Sequence, residues 1–302
     1  MRVALVGGTG LLGRHIAAAL RARGDEVIVL GRRAGPSSDG LDEVRTWAPG
    51  DPAGLAASLR GCHAVVNLAG TPVGPRPWTS RRRQAILESR LAATRTIVDA
   101  LARLGTPDRP GVLVSASGTD TYTGSDAVPA TEATAPTDGF LARVCLAWEA
   151  EAARATELGV RVVILRIGFV LAPGGSALRL YALPFRIGLG GPIGDGRQWM
   201  SWIHVADVAR ITLEAMDDDS LEGIVNAVAP EPARQAEIAA AIGEALGRRS
   251  WLRVPAALVR LTMRSQAILP LGSRRIVPAR LLERGFAFRW PDLGPAMADA
   301  LG

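Results

Sequence analysis

Short β-branched runs alternate with longer amphipathic stretches through the first two-thirds of the chain. The runs fall at residues 2–6, 26–30, 44–47, 64–68, 111–115 and 160–167, and each predicts a strand. Between them, residues 11–23 carry Leu12, Ile16, Ala19 and Leu20 on one helical face, with Gly24 placed to cap the helix end. Residues 78–104 and 140–158 read as two more helices, the first with many charges on its outer face. Strands taking turns with helices predict βαβ units and a parallel sheet.

After residue 171 the pattern changes. Gly and Pro crowd residues 173–196, a stretch expected to wrap a cleft instead of continuing the sheet. Residues 205–216 return to a helix and 224–229 to a strand. From 230 to the end the chain is helical and rich in arginine, and is expected to form a small lobe.

The first strand runs into Gly7-x-x-Gly10-x-x-Gly13 and then a helix. That order fits a phosphate cradle. Gly7 permits a tight turn, Gly10 lets a pyrophosphate approach the backbone, and Gly13 lets the helix pack close. The free N–H groups and positive dipole end of the helix then face the phosphates. The expected contacts are Gly7, Thr9, Gly10, Leu11, Leu12 and Gly13. Dinucleotide binders that take NAD usually place an acid at the end of the second strand, for the ribose hydroxyls. Here Arg32 and Arg33 stand there, and two guanidinium groups suit a 2′-phosphate. NADP is therefore expected over NAD. Asn67, Leu68, Ala69 and Gly70 at the end of the fourth strand, and Ser115 at the end of the fifth, complete the expected cofactor set, with Gly70 leaving room for ribose or nicotinamide.

Composition narrows the chemistry. Of 302 residues 48% are hydrophobic and 21% charged, which fits a folded protein with a large core. All 35 basic residues are arginine, so no lysine Schiff base and no phosphate-loop lysine can operate. The net charge of +6 favours acidic small molecules or anionic surfaces. Two cysteines and three histidines without ligand spacing point to no metal site and suit a reducing compartment. The opening residues hold no apolar run long enough for a signal peptide or a membrane span, so a soluble cytoplasmic protein is expected. The arginines at 81–83 and 274–275 lack aromatic interleaving. They read as solvated helix faces or the rim of an anionic-substrate site, not as a nucleic-acid surface.

Further stretches extend the picture: Val66-Asn-Leu-Ala-Gly70, Ser115-Ala-Ser-Gly118, Trp148-Glu149, Arg166-Ile-Gly168, Gly194-x-Gly196, Ser201-Trp-Ile-His204-x-x-Asp207 and Gly285-Phe286. With the glycine loop, they make the chain resemble the extended short-chain dehydrogenase/reductases. More narrowly it resembles their atypical epimerase-like group, which ends in a helical domain of unknown function of the DUF1731 type. The resemblance implies a Rossmann-type, doubly wound α/β fold with a small, mainly helical C-terminal and substrate lobe. The corresponding division is 1–229 for the NAD(P)-binding domain, with 173–200 contributing to the substrate lobe, and 230–302 for the C-terminal lobe.

The resemblance implies that catalytically complete relatives in the wider short-chain dehydrogenase/reductase family use Ser or Thr with a Tyr-x-x-x-Lys pair, which the atypical group is described as lacking. Counted back from Glu149, those two positions are Leu141 and Cys145, which offer neither a proton nor a positive charge. Ser117 or Ser115 is expected to face the nicotinamide. Tyr122, in the loop after the fifth strand, is the candidate for a replacement acid. Trp199, Trp202 and His204 are expected to line the substrate pocket, and Asp207 to cap the following helix. Two functions stay open: an NADP(H)-dependent oxidoreductase or epimerase with a non-standard proton donor, and a non-catalytic NADP(H)-binding sensor or interaction module. The substrate is a small molecule that these residues do not name.

Overall fold

A computed structural model describes residues 1–32, 44–74, 76–122 and 128–302. Its strands are β1 Arg2–Val6, β2 Glu26–Gly31, β3 Val44–Thr46, β4 Ala64–Asn67, β5 Val112–Gly118, β6 Arg161–Ile167, β7 Phe169–Leu171, β8 Trp199–Met200, β9 Trp202–His204, β10 Gly223–Ala227 and β11 Ala233–Arg234. The main helices are α1 Leu11–Ala22, α2 Pro52–Leu59, α3 Ser80–Ala102, α4 Phe140–Ala153, α5 Ser176–Arg186, α6 Val205–Asp217, α7 Gln235–Ala245 and α8 Ala256–Met263. Three shorter ones follow, α9 Ile268–Leu271, α10 Ala279–Glu283 and α11 Leu293–Leu301.

Seven strands form one parallel sheet in the order β10-β6-β5-β4-β1-β2-β3. Side chains of a strand point alternately to the two faces. Val3 and Leu5 therefore enter the core cluster that also holds Ile16 and Leu20 of α1 and Val208 and Ile211 of α6. Ala4 and Val6 enter the opposite cluster, with Leu55 of α2 and Ile97 and Leu101 of α3. Burial on both faces explains why the strands read as unbroken apolar runs. The chain order reverses between β1 and β4, and such a point opens a crevice at the carboxyl ends of the strands.

Three features differ from the pattern read along the chain. β5 runs on through Gly118, because Ser115, Ala116 and Ser117 pair with Ile164, Leu165 and Arg166 of β6; small polar residues carry little strand propensity, and the neighbour decides. α2 was not signalled; Pro52 in its first turn and the Asp51 carboxylate accepting from Gly54 N–H start it. The Gly/Pro-dense stretch holds α5, whose Leu178, Ala182 and Phe185 recur at helical spacing and join Ile238 and Ile242 of α7 and Met297 of α11 in a third cluster. The C-terminal stretch also reaches back: Leu281 belongs to the first core cluster, and Phe286 and Phe288 pack on it. Asp207 is buried and accepts from the N–H groups of Arg289 (2.7 Å) and Trp290 (2.9 Å), so it anchors that stretch. The cap of α6 is His204, whose Nδ1 accepts from Ala206 N–H at 3.3 Å.

Among the described residues no helix is long and apolar enough to cross a membrane, and no cluster of His, Cys, Asp and Glu is placed to hold a metal ion.

Candidate active site

The three glycines of the first loop do three different things. Gly7 takes a left-handed φ of +80°, and a Cβ there would stand 2.9 Å from Ala69 N. At Gly13 a Cβ would stand 2.3 Å from the Gly8 carbonyl oxygen, so the first turn of α1 rests on the backbone of the loop itself. Gly10 has ordinary extended angles, and a Cβ there would meet only the Gly7 carbonyl oxygen, at 3.4 Å. It faces open space at the start of α1. No side chain caps that helix, and its first turn holds no acid. The amides of Leu11, Leu12 and Gly13 thus point at a bare, electropositive crevice. Thr9 beside them is exposed. Arg32 is exposed at the end of β2, on the same edge; Arg33 lies outside the described residues.

The end of β4 is held from beneath. Asn67 is fully buried, donates to Thr94 Oγ1 (2.8 Å) and Ser115 Oγ (3.3 Å), and accepts from Ala69 N–H (3.2 Å). It shapes the loop of Leu68 and Ala69. The space beside Gly70 is taken by Arg90, whose guanidinium carbon would be 3.1 Å from a Cβ there; Arg90 also donates to the Thr71 carbonyl. The room at Gly70 therefore serves a protein side chain.

Ser117 and Tyr122 are drawn into one buried network. Ser117 Oγ donates to Glu149 Oε1 at 2.6 Å, and Arg166 grips both oxygens of Glu149 at 2.9 and 2.6 Å. The Arg166 guanidinium lies 4.8 Å from the centre of the Tyr122 ring. Burial works against its charge, but the bidentate Glu149 contact prevails and holds Arg166 firmly cationic. The Tyr122 hydroxyl donates to Asn226 Oδ1 at 2.9 Å, and Tyr122 is 1% exposed. Burial pushes its phenol up, so it stays protonated. Its proton is turned into the network, away from the large cavity.

That cavity, of about 740 Å³, opens beyond the ends of β5 and β6. Thr119 and Asp120 enter it just past β5, Gly168 and Phe169 just past β6, Tyr181 and Phe185 from α5, and Val259 and Met263 from α8. Of the three pocket residues expected from sequence, Trp199 lines it, stacked between Arg234 and Arg275, whose guanidinium carbons lie 3.7 and 4.8 Å from its ring centre. Trp202 is 1% exposed in the third core cluster and borders a smaller cleft. His204 packs against Trp290 and sets Nε2 3.1 Å from Asp299. Reasoning from sequence missed Tyr181, Phe169 and the Asp120–Arg274 pair. The signal for Tyr181 was the buried helical face of α5, hidden among glycines.

Comparison with known proteins agrees with this geometry. The NAD dependent epimerase/dehydratase family matches residues 3–227, and the domain of unknown function DUF1731 matches 254–300. The chain belongs to the NAD-dependent epimerase/dehydratase family. A human relative, epimerase family protein SDR39U1, is 37% identical over 303 residues, which cover 99% of each chain. The crystal structure of human SDR39U1 with NADPH superposes with a TM-score of 0.90 at 36% identity, covering 100% of this chain and 99% of that one. A Corynebacterium glutamicum structure described as a nucleoside-diphosphate sugar epimerase gives 0.80 at 32% identity, where this chain spans 58% of its length.

The two positions counted back from Glu149 hold neither tyrosine nor lysine. Leu141 and Cys145 are buried on α4. A Cβ at Gly118 would lie 3.3 Å from Cys145 Sγ. Burial pushes both thiols, Cys62 and Cys145, up to about 11. Neither is a thiolate at neutral pH. Iodoacetamide should therefore leave the native protein unmodified at pH 7 and label both cysteines after unfolding in guanidinium, read by intact mass. Rapid native labelling of Cys145 would mean that α4 opens at this end.

Proposed function

We propose that the chain is an NADP(H)-dependent oxidoreductase of the epimerase/dehydratase family whose proton donor is not the usual tyrosine of the Tyr-x-x-x-Lys pair. The observation that carries this reading is the uncapped start of α1 at Gly10, a cradle that a Cβ would fill. A bound nicotinamide dinucleotide supplies hydride chemistry. The chain holds its pyrophosphate on the amides from Thr9 to Gly13, and borders the ribose with Leu68 and Ala69. Ser115 and Ser117 lie behind these groups at the end of β5. Glu149 and Arg166 hold Ser117 in place, and Tyr122 supports Arg166 from the other side. The NADPH bound by human SDR39U1 and the exposed Arg32 both favour a 2′-phosphate.

Arg32→Ala should cut the preference for NADPH over NADH by about 10- to 100-fold, the size of one or two charge-assisted contacts. Calorimetry with both nucleotides measures it, and an unchanged preference removes Arg32 from the argument. A second reading, a nucleotide-binding sensor without turnover, is favoured by one observation: Leu141 and Cys145 leave no acid at the usual place. Stopped-flow absorbance of bound NADPH, mixed with a panel of carbonyl compounds, separates the two. Oxidation supports the enzyme; a conformational response with no oxidation across the panel supports the sensor.

A further inference from the structure

The large cavity has an uneven chemistry. Among its described lining residues the charged side chains are Asp120 and Arg274, and these two pair at 2.8 Å, so their charges cancel. Three of the other polar side chains are engaged, whereas Trp199 Nε1 has no hydrogen-bond partner among the described residues. Gln235 Oε1 accepts from Ile193 N–H, Gln266 donates to the Arg76 carbonyl, and Ser201 Oγ accepts from Ile276 N–H while it donates to the Arg274 carbonyl. Most of the remaining wall is Phe, Trp, Leu, Ile, Val, Met and Pro, and it runs out to the exposed Leu180 and Met263 at the rim.

Tyr181 differs from those three. It sits on α5 with its ring 5.1 Å from that of Phe169, just past β6. Tyr181 lines the cavity, and its hydroxyl makes no hydrogen bond among the described residues. Burial pushes its phenol up to about 12, so it is a standing donor at any physiological pH.

We propose that this cavity takes an uncharged, mostly apolar carbonyl compound, whose oxygen receives a hydrogen bond from Tyr181, and not a nucleoside-diphosphate sugar. A diphosphate would bring two negative charges against a wall whose one lining cation among the described residues is already neutralised, and burying them there is unfavourable. An apolar ligand replaces water on an apolar wall, and one acceptor satisfies the idle phenol. A cavity of this size encloses most of a ligand of drug-like dimensions. The oxygen's role as the reacting centre rests on the oxidoreductase reading; the binding preference does not.

The test is calorimetry on the full chain, with and without saturating NADPH. Its probes are alkyl phenyl ketones from butyrophenone to octanophenone, hexylbenzene, and UDP-glucose. Each added methylene should tighten ketone binding about three- to fourfold, while UDP-glucose neither binds nor displaces a ketone. Tyr181→Phe, which keeps the ring against Phe169, should weaken hexanophenone about five- to tenfold and leave hexylbenzene unchanged. Flat chain-length dependence, UDP-glucose binding as tightly as octanophenone, or equal effects of Tyr181→Phe on both matched probes would overturn the proposal. Thermal melts of the variant exclude misfolding. NADPH binding without ketone binding sinks this inference and leaves the proposed function standing; ketone binding without NADPH binding does the reverse.

Discussion

Gly10→Val should abolish NADPH binding, weakening it at least about 100-fold, or about 2.7 kcal/mol, while the melting temperature hardly moves. The separation of the two effects is what makes the variant informative. Gly10 sits at φ −77° and ψ 175°, angles any residue adopts, so valine adds no backbone strain. Its Cβ would meet one carbonyl oxygen at 3.4 Å and otherwise open space. What the side chain fills is the room through which a pyrophosphate would reach the amides of α1. Gly13→Ala is the contrast. Its Cβ would stand 2.3 Å from the Gly8 oxygen, and backbone cannot yield as a flexible side chain does. Overpacking of that kind costs about 1–3 kcal/mol or more, so that variant should lose stability as well as binding. Calorimetry with NADPH and a thermal melt on each protein give both numbers. Wild-type affinity in Gly10→Val would sink the phosphate-cradle argument, and with it the proposed function.

Glu149→Gln should destabilise the fold by about 3–5 kcal/mol, the usual consequence of stripping one partner from a buried ion pair. The side chains of Arg166 and Glu149 are 3% and 8% exposed, and each carboxylate oxygen accepts from Arg166. Glutamine keeps the shape but leaves a guanidinium charge buried with one good acceptor fewer. Ser117 loses its anionic partner at the same time. Replacing both members, Glu149→Leu with Arg166→Met, removes the uncompensated charge and should cost less than Glu149→Gln alone. Urea denaturation, with its slope checked for constancy, measures both. A Glu149→Gln protein as stable as the parent would mean that water reaches the pair and that the network is not buried in solution.

Much of this molecule is legible along the chain because the causes are local. A strand buried on both faces reads as an unbroken apolar run, so β1, β2, β4 and β6 are visible without a structure. The glycine loop is visible because tight turn, open approach and close packing each forbid a side chain within a few residues of one another. The end of β5 was not visible, since Ser115 to Gly118 owe their extended form to pairing with β6. Tyr122 illustrates the same limit at a single residue. Its position after β5 suggested a cofactor-facing loop, but Asn226 and Arg166, brought in from β10 and β6, turn its hydroxyl inward.

Sequence by itself determined the parallel α/β sheet, the glycine loop between β1 and α1 and the absence of lysine chemistry, because each follows from spacing or from residue type alone. Tertiary structure alone decided which polar groups are spent and which are idle. Asp120 and Arg274 cancel, Ser117 is bound to Glu149, and Tyr181 lines the cavity with its hydroxyl unbonded among the described residues. Those outcomes depend on partners from distant stretches of chain, and a hydrogen bond or an ion pair is set by the distance between its atoms in space, which no local periodicity encodes.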